Sequence, residues 1–63
     1  MNEADPIMKF FEFEFSGDDK YDEISKLMFK TAKAIEALPR NAERSTALRK
    51  LLECRDAARR ACE

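Results

Sequence analysis

The chain has no histidine and no tryptophan, and only one glycine, two prolines and two cysteines among its 63 residues. Each scarcity removes a class of chemistry. Without histidine, acid–base catalysis at neutral pH loses its usual carrier, and a cysteine nucleophile lacks an imidazole to take its proton. One glycine, Gly17, cannot furnish a glycine-rich phosphate loop. On one helix, Cys54 and Cys62 would stand about 12 Å apart along the axis, beyond the roughly 7 Å that a disulfide tolerates. Two distant thiols without histidine also make a poor zinc site, and read most simply as small packing residues. The inventory predicts a protein that is not an enzyme, with no catalytic residue, no metal and no cofactor. Glu12 and Glu14 are the nearest thing to a carboxylate pair, and their alternation with phenylalanines explains them as a solvated edge.

Long apolar runs are missing too. The longest is Leu27-Met28-Phe29, so no membrane span is expected. Residues 1–5 are acidic and lack the apolar stretch of a signal peptide. Together with unpaired thiols, this predicts a reducing, cytoplasmic setting.

Charge is plentiful and unevenly placed. The net charge is −1, yet residues 1–25 carry eight acids against two lysines, whereas residues 26–60 carry ten bases against four acids. That asymmetry has two readings: an anionic partner for the basic part, or neutralisation of the basic body by the acidic head.

The hydrophobic pattern divides the chain in two. Residues 1–6 read as a loose leader. Phe11, Phe13 and Phe15 then alternate with Glu12 and Glu14, a period of two that predicts an extended arm over residues 1–17. The arm holds most of the aromatic residues, and one hairpin offers them no partner. It is therefore expected to lie over a hydrophobic groove, that of a neighbouring subunit included, or to pair with its symmetry mate. Residues 16–19 suit a turn and a helix N-cap. Beyond them, Tyr21, Ile24, Leu27, Met28, Ala32, Ile35 and Leu38 recur at helical spacing, predicting a helix over about 19–38. Leu38-Pro39 ends it, because the residue before a proline disfavours the helical region. Asn41 caps a second helix over about 42–62, with Ser45, Leu48, Leu51, Leu52, Arg55, Ala58 and Cys62 as its inner stripe. Two such helices joined by a turn at 39–41 pack antiparallel. The expected fold is all-α: a two-helix hairpin over residues 18–63 with an extended N-terminal arm. A chain this short buries little core, and a hairpin leaves half of each stripe open, so assembly into a homo-oligomer is expected.

The basic residues supply candidate phosphate ligands. Lys26, Lys30 and Lys33 are helix neighbours, with Thr31 beside them. The second helix opens with Arg44, Ser45 and Thr46, continues with Arg49 and Lys50, and ends with Arg59 and Arg60. A helix start bearing hydroxyls and arginines suits anions. Arg55 falls on the apolar stripe and is expected to be buried at an interface, paired or ligand-facing. Tyr21 is suited to stack on a base or to act as a staple at the helix start.

The run Pro39-Arg40-Asn41-Ala42-Glu43-Arg44-Ser45-Thr46-Ala47-Leu48-Arg49-Lys50-Leu51-Leu52-Glu53, with Ala58 and Ala61 beyond, resembles the second helix of the phage anti-CBASS cyclic-oligonucleotide sponges, a family of small helical-hairpin domains. Tyr21 and Ile24 match the start of that family's first helix. The resemblance implies a homo-oligomer, typically a hexamer, that traps cyclic di- and trinucleotide immune messengers in the host cytoplasm without cleaving them. By position, Arg60 matches an arginine that contacts cyclic trinucleotides, and Arg49 stands where relatives often carry threonine. Lys26 or Lys30 corresponds to a lysine that holds a cyclic dinucleotide phosphate. Tyr21, Lys26, Lys30, Thr31, Ser45, Arg49 and Arg60 are thus the expected ligand-binding residues, with neither membrane nor DNA as a partner. Two other readings fit the pattern: a hairpin that dimerises into a four-helix bundle and binds RNA, or an oligomeric adaptor that docks proteins through its phenylalanine-rich arm.

Overall fold

Asp18 and Asn41 open the two long helices for the same local reason. Each sits in extended backbone and turns its side-chain oxygen onto the third amide beyond it. Asp18 accepts from the Tyr21 amide at 3.0 Å, and Asn41 from the Arg44 amide at 2.8 Å. Helix starts leave such amides without intrahelical partners, and a short polar side chain satisfies one of them. The computed structural model describes residues 6–63, in which Pro6–Phe11 forms a 3-10 helix, Asp19–Glu36 helix α1 and Ala42–Ala61 helix α2. The described residues contain no strand.

α1 stops two residues before the expected end. Ala37 caps it, its amide reaching the Lys33 carbonyl at 3.2 Å, and the Leu38 amide bonds the Ile35 carbonyl at 3.0 Å. Pro39 favours extended backbone at Leu38, which leaves that side chain 54% exposed rather than on the buried stripe. Two contacts give the helix pairing its direction: Ser25, early in α1, meets Arg59 late in α2, while the Glu36 carbonyl at the end of α1 meets Arg44 at the start of α2. The helices are therefore antiparallel.

The core is small. Met8, Phe11, Ala32 and Leu48 are buried, with Ile7, Met28, Phe29, Ile35, Leu51 and Leu52 packed around them. Complete burial of Phe11 or Leu48 contributes about 1.5–3 kcal/mol each.

The first part of the arm is not extended. Residues 6–11 form the 3-10 helix, where positions three apart share a face, so Met8 and Phe11 both point into the hairpin. Phe11 accordingly finds its partners in its own chain, contrary to the expectation that a single hairpin offers none. The three alternating rings also have unequal fates: Phe11 is buried, Phe13 half-buried, and Phe15 78% exposed. Residues 12–18 run without helix or strand to the cap of α1. The expectations for residues 1–5, a loose leader without a signal sequence, lie outside the described residues.

The inner stripe of α2 is the expected one through Leu48, Leu51, Leu52, Arg55, Ala58 and Cys62 and differs at its first residue. There Arg44 is buried and Ser45 exposed. Cys54 is exposed rather than packed, Cys62 is half-buried, and both are free thiols. No helix among the described residues is long and apolar enough to cross a membrane.

Candidate anion-binding groove

Helical spacing places Lys26, Lys30 and Lys33 on successive turns of one face of α1. Phe29 shares that face, three residues after Lys26 and four before Lys33. The arm passes beside it and lays Phe13 against Phe29, ring centroids 6.0 Å apart and planes near perpendicular. Phe13 makes a second edge-to-face contact with Phe15 at 5.8 Å. Together Phe13, Lys26, Phe29, Lys30 and Lys33 line a shallow groove of about 480 Å³, a volume within the range of small-molecule sites.

The electrostatics of the groove are one-sided. Among the described residues, Lys26 and Lys30 have no ion-pair partner. Lys33 is shared between Glu36, 3.8 Å away, and the Phe29 ring, whose centroid lies 6.0 Å from its ammonium. Two unneutralised ammonium groups one turn apart, beside two phenyl rings, suit a ligand that combines anionic and flat apolar parts.

Of the residues expected to bind ligand, the structure brings Lys26 and Lys30 together here and places the others elsewhere. Tyr21 is half-buried, and the Arg59 guanidinium lies 4.8 Å from its ring centroid, occupying a face that a base would need. Thr31 donates its hydroxyl to the Leu27 carbonyl at 2.9 Å, a bond within its own helix. Ser45, Arg49 and Arg60 are exposed on α2 and do not line the groove. Arg44, expected at an anion-binding helix start, instead turns inward and donates to the Glu36 carbonyl at 2.7 Å, closing the end of α1. Arg55 is buried, as its place on the stripe implied, and its partners are within the chain. It donates to the Phe10 carbonyl and to Asp56, and its guanidinium lies 5.7 Å from the Phe11 ring centroid.

Sequence reasoning missed Phe13 and Phe29 as site residues. The signal for Phe29 was its lysine neighbours at i−3 and i+4; no local signal ties Phe13 to α1.

The arm is fastened to the start of α1. Asp22 accepts from the Ser16 amide and hydroxyl, both at 2.9 Å, and from the Gly17 amide at 3.2 Å. The Ser16 amide bond is the main cause holding the Asp22 carboxyl below the ordinary aspartate pKa; partial desolvation opposes it, and the Ser16 hydroxyl and Gly17 amide reinforce it. Gly17 makes this turn at φ 92°, a region that residues with a Cβ rarely adopt.

No protein-family model, curated protein or solved structure matches this chain.

Proposed function

We propose that this protein binds and sequesters cyclic oligonucleotide second messengers, releasing them chemically intact, and so silences host anti-phage signalling. The observation that carries the reading is the groove in which Lys26 and Lys30, without ion-pair partners among the described residues, stand beside Phe13 and Phe29. Phosphate oxygens accept from the two ammonium groups while a base lies against the rings. The resemblance of residues 39–61 to the anti-CBASS sponges supports the same ligand class, and assigns Arg60 to a second, trinucleotide-binding position. Cleavage is not part of the reading because the sequence has no histidine and its free thiols have no imidazole to activate them.

A homo-oligomer, by that resemblance a hexamer, in the bacterial cytoplasm is part of the proposal. Its support is the small core together with exposed Phe10, Phe15, Leu27 and Leu38.

Calorimetry against a panel of cyclic di- and trinucleotides tests the reading. Charge-assisted bonds contribute about 1.5–3 kcal/mol each. Lys26→Ala or Lys30→Ala should therefore weaken cyclic dinucleotide binding by roughly 10- to 150-fold, and Arg60→Ala should do so for trinucleotides. Heat-denaturing the loaded protein should return intact rings; linear products would overturn sequestration. An RNA-binding hairpin would instead lose affinity steeply with salt, because many phosphates would be neutralised, whereas a cyclic dinucleotide has only two.

A further inference from the structure

The aromatic wall of the groove is borrowed from the arm, and the arm is tethered at equal sequence distance on both sides of Phe13. Three residues upstream, the Phe10 carbonyl accepts from the buried Arg55 guanidinium. Three residues downstream, the Ser16 amide and hydroxyl donate to Asp22, with the Gly17 amide adding a third bond to the same carboxylate. Neither Arg55 nor Asp22 lines the groove. Between the two tethers, the side chain packed against α1 by an aromatic contact is Phe13, on Phe29.

Resting on the groove as the ligand site, we propose that residues 10–16 form a strap whose tethers make Asp22 and Arg55 positioning residues, and that the strap's Phe13 makes the site selective for phosphate esters carrying an aromatic base over base-free polyphosphates. The physical reason is a separation of labour. The lysines attract any polyanion through charge, and they sit on α1 rather than on the strap. The rings discriminate because a base gains contact with a phenyl face and an inorganic anion gains none. Phe13 can offer that face only while the strap is fixed, since a segment held only at the buried Phe11 and at the cap of α1 samples many conformations. Loosening the strap should therefore lower affinity for nucleotides and leave affinity for bare polyphosphate unchanged.

The experiment uses the full chain and two probes, cyclic di-adenylate and inorganic pyrophosphate, with variants Phe13→Leu, Asp22→Ala and Asp22→Asn. Calorimetry should find cyclic di-adenylate weakened roughly 5- to 150-fold by Phe13→Leu, with a loss in the same direction for Asp22→Ala and pyrophosphate binding unchanged in both. Asp22→Asn keeps an acceptor oxygen for Ser16 and should restore most of the preference, which separates strap positioning from simple fraying of α1. A ligand-free reading comes from nuclear Overhauser contacts between the Phe13 and Phe29 rings, expected in the parent chain and in Asp22→Asn and lost in Asp22→Ala. Contacts that survive Asp22→Ala would overturn the strap. If the parent chain binds pyrophosphate as tightly as cyclic di-adenylate, the selectivity falls while the anion site stands. If it binds neither, the groove is not the ligand site and both readings fall together.

Discussion

Arg59 donates two hydrogen bonds, at 3.1 and 2.8 Å, to the hydroxyl of Ser25, a side chain almost wholly removed from solvent. The same guanidinium lies 4.8 Å from the Tyr21 ring centroid. One arginine on α2 thus joins two successive turns of α1, and it accounts for a serine in the seam where an apolar residue would otherwise stand. Arg59→Ala leaves the Ser25 hydroxyl without this partner and should destabilise the fold by about 1–3 kcal/mol. Ser25→Ala in the Arg59→Ala background should recover part of that loss, because the unsatisfied group is then gone. Urea unfolding of the single and double variants checks both.

Phe11 is the second test, because it joins the arm to the hairpin core. Phe11→Ala should cost about 3–5 kcal/mol, comparable with the whole stability expected of a chain this size. Thermal unfolding followed by circular dichroism should show a collapse of the melting temperature. Deleting residues 1–16 should do the same. A melt left unchanged by either would mean that the arm contributes nothing to the core.

The Asp22 clasp should respond to pH in a defined direction. The folded-state pKa of Asp22 lies below the ordinary value of 3.8. The carboxylate form is therefore favoured by folding, and its contribution is fully present above pH 3.8. It is lost as pH falls through the depressed folded value. The arm should hence loosen in acid, and Asp22→Asn should remove that part of the pH dependence. Amide exchange at Ser16 and Gly17 measured down the acid range reads the change directly. Gly17→Ala should weaken the same turn by about 1 kcal/mol through its positive φ alone, since a Cβ there would meet nothing within 4 Å.

Self-association should be visible in sedimentation. A chain of 7.3 kDa that leaves Phe10 62% and Phe15 78% exposed should run as a multiple of its monomer mass at micromolar concentration. Phe15→Ser, which touches nothing in the core cluster, should shift the distribution toward the monomer while the helices remain formed. A folded monomer in the parent chain would remove the oligomer from the proposed function.

Helix formation and pairing were readable in the residues because they rest on local chemistry. Asp18 and Asn41 cap by bonding amides three residues away, Pro39 keeps Leu38 from continuing α1, and apolar residues at i+3 and i+4 mark a face wherever the helix packs. The lysine face was equally legible, since Lys26, Lys30 and Lys33 neighbour one another through helical geometry alone. What escaped were choices made between distant segments. Arg44 rather than Ser45 opens the inner stripe of α2 because its guanidinium reaches the Glu36 carbonyl eight residues back, a contact that spacing within α2 does not reveal. Arg55 reads as an anomaly on an apolar stripe until the Phe10 carbonyl, 45 residues earlier, arrives beside it. The arm's period of two described Phe11, Phe13 and Phe15 as equivalents. Packing separated them, because the 3-10 helix carries Phe11 into the core and the strap leaves Phe13 on Phe29 and Phe15 in solvent. Sequence periodicity reports which side chains share a face; which face meets which depends on contacts whose partners lie far apart along the chain.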